Sequence, residues 1–264
     1  MPDFVHMAAF MAAGCIAGMM NAIAGGGTLV TFPTLIFAGL PSIVANATST
    51  IALLPAALSS AFSYRHAAKS VSRWLAVFAP VSLAGGLAGG ILLVRTPSRV
   101  FDTLVPFLIL FATLLFMANA SFNRIFGRLA GKRVAAMHGA DPPRSWVAGA
   151  ALFQLAVAVY GGYFGAGIGI LMLASLGLLG FEDVHAMNAL KVRLGFLINI
   201  VAAAYFVMSG LVDLPSAGIM AVGTIAGGYA GAQFAQKIPQ AKVRSLITLI
   251  GLVISAVMFY KQFA

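Results

Sequence analysis

Apolar residues run in long blocks along this chain, and the charged residues fall between the blocks. There is no Asp, Glu, Lys or Arg between Asp3 and Arg65. Further uncharged runs cover 74–94, 103–123, 145–181, 194–212, 214–236 and 245–260. A membrane-spanning helix needs about 20 mostly apolar residues. Most of these runs are therefore long enough for one crossing, and the first is long enough for two or three.

The chain also contains an internal repeat. A shift of 142 residues aligns AGGLAGG at 84–90 with AGGYAGA at 226–232, and without a gap it also pairs Asn46 with Asn188. A single ungapped offset that holds over such a distance is typical of two copies of one structural unit.

Each copy begins with a long apolar segment, a glycine-rich break and a short apolar segment, and three further helices follow. The predicted segments are 4–24, 28–40, 43–64, 74–94 and 101–121 in the first copy, and 145–164, 168–180, 184–209, 214–236 and 245–261 in the second. As helices the short segments measure only about 20 Å, whereas the hydrocarbon core is about 30 Å thick. The pattern predicts an all-α integral membrane protein with eight to ten membrane segments.

The loops indicate how the two copies are oriented. The loop after the third segment carries three basic residues in the first copy but only Asp213 in the second, and the next loop shows the opposite pattern. The three most basic loops, at 65–73, 122–145 and 237–244, lie on one side of the membrane only if the copies are inverted, and the positive-inside rule makes that side cytoplasmic. We predict inverted repeats at 1–121 and 146–264, joined by a basic cytoplasmic linker at 122–145. A parallel duplication with four crossings per copy is the alternative.

Composition agrees with a membrane protein and disfavours other classes. Of the 264 residues, 61% are hydrophobic and 8% are charged, whereas about 25% are charged in soluble domains. The net charge of +10 resides in short loops, which fits membrane orientation better than nucleic-acid binding. The apolar segments hold no carboxylate pair, metal-ligand spacing or Ser-His-Asp order, so we expect neither an enzyme nor a metal site or cofactor. The one cysteine, Cys15, excludes an internal disulfide.

The two glycine breaks are the first candidate site. NAIAGGGTLVTFP at 21–33 corresponds to YFGAGIGILML at 163–173. A half-helix that begins at Thr28 or Ile168 would direct backbone N–H groups and a positive dipole end into the protein, an arrangement that suits an anion. Close helix packing is the alternative explanation of these glycines, and the favoured one for AGGLAGG and AGGYAGA. The candidate binding residues at the breaks are Asn21, Gly25, Gly26, Gly27, Thr28, Gly165, Gly167 and Gly169.

A polar patch in an apolar helix follows each short segment, NATST at 46–50 and NALKVR at 188–193. In the second copy one helix face carries the residues Asn188, Lys191, Gly195 and Asn199, which are three, four and four residues apart. The counterparts in the first copy include Asn46 and Ser49.

Lys191 is the most informative residue of these patches. A lysine within a membrane segment is costly and usually marks a site or an ion pair. Alternatively, Lys191 snorkels to the cytoplasmic surface together with Arg193. The hydroxyls of Thr48, Ser49 and Thr50 likewise bind either a ligand or the backbone of their own helix.

These segments resemble the sulfite exporter TauE/SafE family of membrane permeases. The resemblance is carried by GMMNAIAGGGTLVTFPTL (18–35) with the following ANATST, and by NALKVRLGFLINIVAAAYFVMSGLVDLPSA (188–217) leading into AGGYAGAQFAQKIP (226–239). It covers nearly the whole chain apart from 122–145. The resemblance implies a multi-pass permease of a bacterial inner (plasma) membrane, associated with sulfite, sulfonates and related organic anions.

We therefore expect a secondary transporter that exports small anions by alternating access. In this hypothesis Lys191 supplies the fixed positive charge, Asn46 and Asn188 orient the anion, and N–H groups at the two breaks complete its shell. No nucleotide-binding motif of the Gly-Lys-Ser/Thr type is present, so we expect coupling to protons or to the membrane potential. An anion channel on the same scaffold and a membrane scaffold that transports nothing are the alternatives.

Overall fold

The computed structural model describes residues 4–23, 26–63, 71–137, 143–179, 181, 184–234 and 240–263. Within these ranges every regular element is an α-helix. The ten helices are α1 (Phe4–Ile23), α2 (Thr28–Phe37), α3 (Ser42–Ser63), α4 (Ser72–Arg95), α5 (Ser98–Met137), α6 (Arg144–Tyr163), α7 (Ile168–Leu178), α8 (Val184–Met208), α9 (Leu214–Phe234) and α10 (Gln240–Phe263). The predicted all-α fold is confirmed.

The helices repeat in the order that the sequence predicts. Helices α3, α4 and α5 begin 142 residues before α8, α9 and α10 respectively. The short segments after the two breaks form α2 with 10 residues and α7 with 11 residues. Both are too short to cross a hydrocarbon core of about 30 Å unaided.

Among the described residues, seven helices are long and apolar enough to cross a membrane, namely α1, α3, α4, α5, α6, α8 and α10. Helix α9 is also long, with 21 residues, but it is richer in glycine than these seven helices. Large apolar side chains such as Leu152, Val222 and Leu249 are exposed on the outside of the helices. Such a surface suits contact with lipid, so the chain is a multi-pass membrane protein.

Helix α5 extends further than the sequence pattern predicts. The apolar run predicts an end near residue 121, but the helix continues to Met137 and has 40 residues. No proline interrupts the chain between Pro106 and the Asp-Pro-Pro sequence at 141–143, so no strong helix-ending signal occurs earlier. The first part of the basic linker is therefore helical.

The two halves of the chain interleave through glycine-lined helix contacts. Helix α1 packs most extensively on α9, and the equivalent helix α6 packs on α4. A Cβ atom built on Gly227 of α9 would overlap the carbonyl oxygen of Cys15, and one on Gly89 of α4 would overlap that of Val159. The packing interpretation of AGGLAGG and AGGYAGA is thus confirmed.

Candidate functional site

The first glycine break connects α1 to α2 and is held by its own side chains. Asn21 Oδ1 accepts a hydrogen bond of 2.8 Å from Gly27 N–H. The amides of Val30 and Thr31 both donate to the Gly27 carbonyl at 3.0 Å. Much of the N-terminal end of α2 is therefore satisfied within the protein. Of the candidate residues at this break, Gly25 lies outside the described part of the chain.

The second break connects α6 to α7. The Tyr160 hydroxyl donates a hydrogen bond of 2.8 Å to the carbonyl oxygen of Ala166, which fixes the loop between the two helices. In the first turn of α7, Ile170 N–H donates to Gly167 O at 3.0 Å. The amides of Ile168 and Gly169 precede it, and helix-terminal amides at these positions lack an acceptor within their own helix.

Positive backbone φ angles turn the chain at both breaks. Gly26 has φ of 94° and Gly167 has φ of 81°, a region that residues with a Cβ rarely adopt. Both glycines also lie against α5. A Cβ on Gly26 would be 2.6 Å from Cζ of Phe116, and one on Gly167 would be 3.2 Å from Cδ1 of Leu115. Two adjacent buried residues of α5 thus bring the two breaks close together.

Helix α3 connects the two breaks through Asn46 and Ser49, which are one turn apart. Asn46 Nδ2 donates a hydrogen bond of 2.9 Å to the carbonyl oxygen of Tyr163, at the end of α6. Ser49 Oγ lies 2.6 Å from Thr31 Oγ1, and the Thr31 hydroxyl donates to Gly27 O at 3.2 Å. Of these two predicted site residues, Asn46 therefore contacts the second copy and Ser49 contacts the first.

The predicted polar face of α8 lies against the second break. A Cβ built on Gly169 would lie 3.3 Å from Cδ and 3.8 Å from Cε of Lys191. One on Gly165 would lie 3.8 Å from Oδ1 of Asn199. Lys191 and Asn199 are both half-buried, as is Asn188 on the same face. The structure therefore brings the lysine to the N-terminal end of α7.

The threonine hydroxyls of the NATST patch have structural partners. Thr48 Oγ1 accepts a hydrogen bond of 3.0 Å from the backbone N–H of Asp213. Thr50 Oγ1 donates to the carbonyl oxygen of Asn46 at 2.9 Å, within its own helix. Both hydroxyls thus stabilise the helix and its contacts.

Three residues at the site carry little or no signal in the sequence pattern. Thr31, Phe116 and Tyr160 all contact a break, yet each is a single residue in an apolar run. Thr31 alone has a weak signal, because a threonine hydroxyl can bond to the carbonyl four residues earlier, which here belongs to Gly27. Within the residues that the structure describes, no three His, Cys, Asp or Glu side chains are arranged to hold a metal ion.

Comparison with known proteins agrees with this architecture. The sulfite exporter TauE/SafE family profile matches residues 10–258. The chain belongs to this family. No solved structure matches the chain.

Curated relatives of this TauE/SafE family member are bacterial proteins. A probable membrane transporter protein of Haemophilus influenzae is 28% identical over 97% of this chain and 95% of the relative. The probable membrane transporter protein ORF9 of a Sinorhizobium species is 26% identical, over 95% and 91%. YfcA of Escherichia coli K12, also a probable membrane transporter protein, is 27% identical, over 93% and 86%. These names and the helices described above indicate a multi-pass membrane transporter.

Proposed function

We propose that this chain is a secondary transporter that exports small anions across a bacterial inner membrane by alternating access. The substrates are sulfite, sulfonates or related organic anions. The family description supports the substrate class. The observation that carries the proposal is the position of Lys191 beside Gly169, at the N-terminal end of α7.

Two groups of positive potential meet at this point. The lysine ammonium carries a full charge, and a helix N-terminus carries the equivalent of about half a positive charge. Because both groups are positive, an anion bound between them would be attracted by both and would offset their mutual repulsion. Charges interact more strongly in a partly buried, low-dielectric environment than in water. A half-buried lysine at a helix start is therefore suited to hold a small anion.

The remaining groups of the proposed site are neutral. Asn199 lies near Gly165 on the same side of the second break. Asn188 lies three residues before Lys191 on the same helix, and its amide would donate to an anion oxygen. Neutral donors around a single ammonium favour an anion of low charge.

The interleaved halves provide a route to alternating access. Two related units that pack through α1 with α9 and through α4 with α6 can rock against each other around a central site. We expect coupling to protons or to the membrane potential, because the sequence lacks a nucleotide-binding motif of the Gly-Lys-Ser/Thr type.

Purified protein in proteoliposomes tests the proposal. Radiolabelled sulfite, sulfate, thiosulfate, taurine, sulfoacetate and small carboxylates would be offered one at a time. We expect saturable uptake of at least one sulfur oxyanion or sulfonate, together with counterflow against the unlabelled anion. Uptake without saturation or counterflow would indicate a channel instead. Folded protein that moves none of these anions would contradict the proposal.

A further inference from the structure

Asn46 has one side-chain atom whose hydrogen-bonding need is unmet. The residue is 1% exposed. Its Nδ2 donates to the Tyr163 carbonyl, and since a carbonyl only accepts hydrogen bonds, this contact fixes which end of the amide faces α6. The other end, Asn46 Oδ1, is buried and has no hydrogen-bond partner among the described residues.

A buried acceptor without a donor is costly. Leaving such a group unpaired costs about 1–3 kcal/mol, and the large majority of buried polar atoms have a partner. The partner of Asn46 Oδ1 must donate a proton to the hydrogen bond. The oxygens of a sulfite dianion or a sulfonate group cannot do this, because they only accept. Asn46 Oδ1 thus has the wrong polarity for the anionic head of the ligand.

The position of Asn46 places this acceptor at the candidate site. The residue is bonded to Tyr163, two residues before the Gly165 turn. Ser49, one turn further along α3, reaches the start of α2 through Thr31. Asn199 and Lys191 lie beside Gly165 and Gly169 of the same break, respectively. Asn46 and Lys191 therefore both lie beside the second break, and a ligand with two ends that binds there would have one end near each.

We propose that Asn46 Oδ1 accepts a hydrogen bond from a donor group on the transported anion. The chain then selects anions that carry a hydroxyl or ammonium group in addition to the anionic head. This inference rests on the proposed anion transport and assigns Asn46 a role in specificity. It makes more specific the role that the sequence suggested for Asn46, which was to orient the anion.

Three sulfonates of similar size test the inference. Ethanesulfonate has only the anionic head, 2-hydroxyethanesulfonate adds a hydroxyl, and 2-aminoethanesulfonate adds an ammonium group. Their dissociation constants would be measured by calorimetry on the purified full chain at fixed pH and ionic strength. The same measurements would be made on Asn46→Ala and on the control Thr50→Ala, which removes a hydroxyl that bonds within α3.

We expect the parent protein to bind one of the two donor-bearing sulfonates at least about tenfold more tightly than ethanesulfonate. The tighter ligand identifies the donor as hydroxyl or ammonium. In Asn46→Ala this ratio should fall to about one, whereas Thr50→Ala should keep it. The ratio compares ligands on one protein preparation, so a partial loss of folded protein does not change it.

Two results would overturn the inference without touching the proposed function. One is equal affinity of the parent for all three sulfonates, which would assign Asn46 Oδ1 to a buried water. The other is a preference that survives in Asn46→Ala. Failure of the parent to bind any of the three sulfonates or any anion of the proteoliposome panel would instead contradict the proposed function.

Discussion

Ser49 and Lys191 occupy the same position in the two copies, 142 residues apart. Each lies against the first turn of the short helix in its own copy. Ser49 contacts Thr31, which donates to Gly27 O. Lys191 packs its stem on Gly169, the equivalent of Gly27. Two neutral hydroxyls therefore occupy one helix start, and a cation occupies the other. We expect the anion to bind at the second copy.

Replacement of Lys191 tests this asymmetry. Lys191→Gln removes the ammonium group but keeps most of the stem that packs on Gly169. A charge-assisted hydrogen bond contributes about 1.5–3 kcal/mol, so the dissociation constant of the anion should rise roughly tenfold to hundredfold. Binding to purified protein at fixed ionic strength measures the change.

Arg193→Gln is the matched control for this substitution. Arg193 lies two residues further along α8, about 200° around the helix from Lys191. Its loss should leave the affinity for the anion nearly unchanged. Parent-like affinity of Lys191→Gln would place the lysine charge at the membrane surface. A loss confined to Arg193→Gln would assign the wrong face of α8 to the ligand.

The sequence predicts the helices and the repeat well because both leave a periodic signal. Apolar runs of about 20 residues identify the spans, and the glycine breaks before Thr28 and Ile168 mark where the short helices begin. The predicted end of α5 was wrong, because hydropathy falls at residue 121 but the helix continues to Met137. Hydropathy reports contact with lipid, whereas a helix ends only where its backbone is interrupted.

The contacts between the halves could not be predicted in the same way. The spacing of Asn188, Lys191 and Asn199 predicts one helix face, but it does not show what that face touches. The hydrogen bond from Asn46 to Tyr163 joins residues 117 positions apart, and it depends on how α3 packs against the end of α6. The polarity of the Asn46 amide depends on that contact and is therefore not encoded in the local sequence.

Gly26 tests the contact between the first break and α5. Gly26→Ala combines a left-handed backbone, which costs about 1–2 kcal/mol for a residue with a Cβ, with overpacking against Phe116, which costs about 1–3 kcal/mol. Gly39 has a similar φ of 91°, but apart from its chain neighbours no atom of the described residues lies within 4 Å of its Cβ position. Gly39→Ala should therefore lower the thermal midpoint in detergent less than Gly26→Ala does.

A second substitution separates the two costs at Gly26. Phe116→Leu removes the ring atom that a Cβ on Gly26 would meet at 2.6 Å. In a double-mutant cycle, Phe116→Leu should recover part of the midpoint lost in Gly26→Ala. If the two substitutions lower the thermal midpoint by strictly additive amounts, the Phe116 ring is not what makes a Cβ at position 26 unfavourable.

The packing of α9 on α1 gives a prediction within one helix. A Cβ on Gly227 would overlap the backbone of Cys15, which cannot move as a side chain can. A Cβ on Gly218 would meet no other part of the described chain within 4 Å. Gly227→Ala should destabilise the protein by at least about 1–3 kcal/mol. Gly218→Ala should be neutral or stabilise the helix by about 0.5–1 kcal/mol. Thermal unfolding of both variants in the same detergent makes the comparison, and equal midpoints would contradict the close contact.

The inversion of the two copies is tested by cysteine labelling. The background is Cys15→Ser, and single cysteines replace Ser70, Ser209 and Gln240. The basic loops place positions 70 and 240 on the cytoplasmic side, and the loop with Asp213 places position 209 outside. A membrane-impermeant maleimide should therefore label position 209 in intact cells, and positions 70 and 240 only in inside-out vesicles.

Labelling after solubilisation is the control, since all three cysteines should then react. Ser70 follows α3 in the chain and Ser209 follows α8, so the two positions lie in equivalent connections of the repeat. A unit with an odd number of crossings places them on opposite sides of the membrane, and a unit with an even number places them on the same side. Reaction of both from one side would therefore establish the parallel duplication and exclude the inverted one. Alternating access by two inverted units around the Lys191 site would then lose its structural basis, although the contact of Lys191 with the start of α7 would remain.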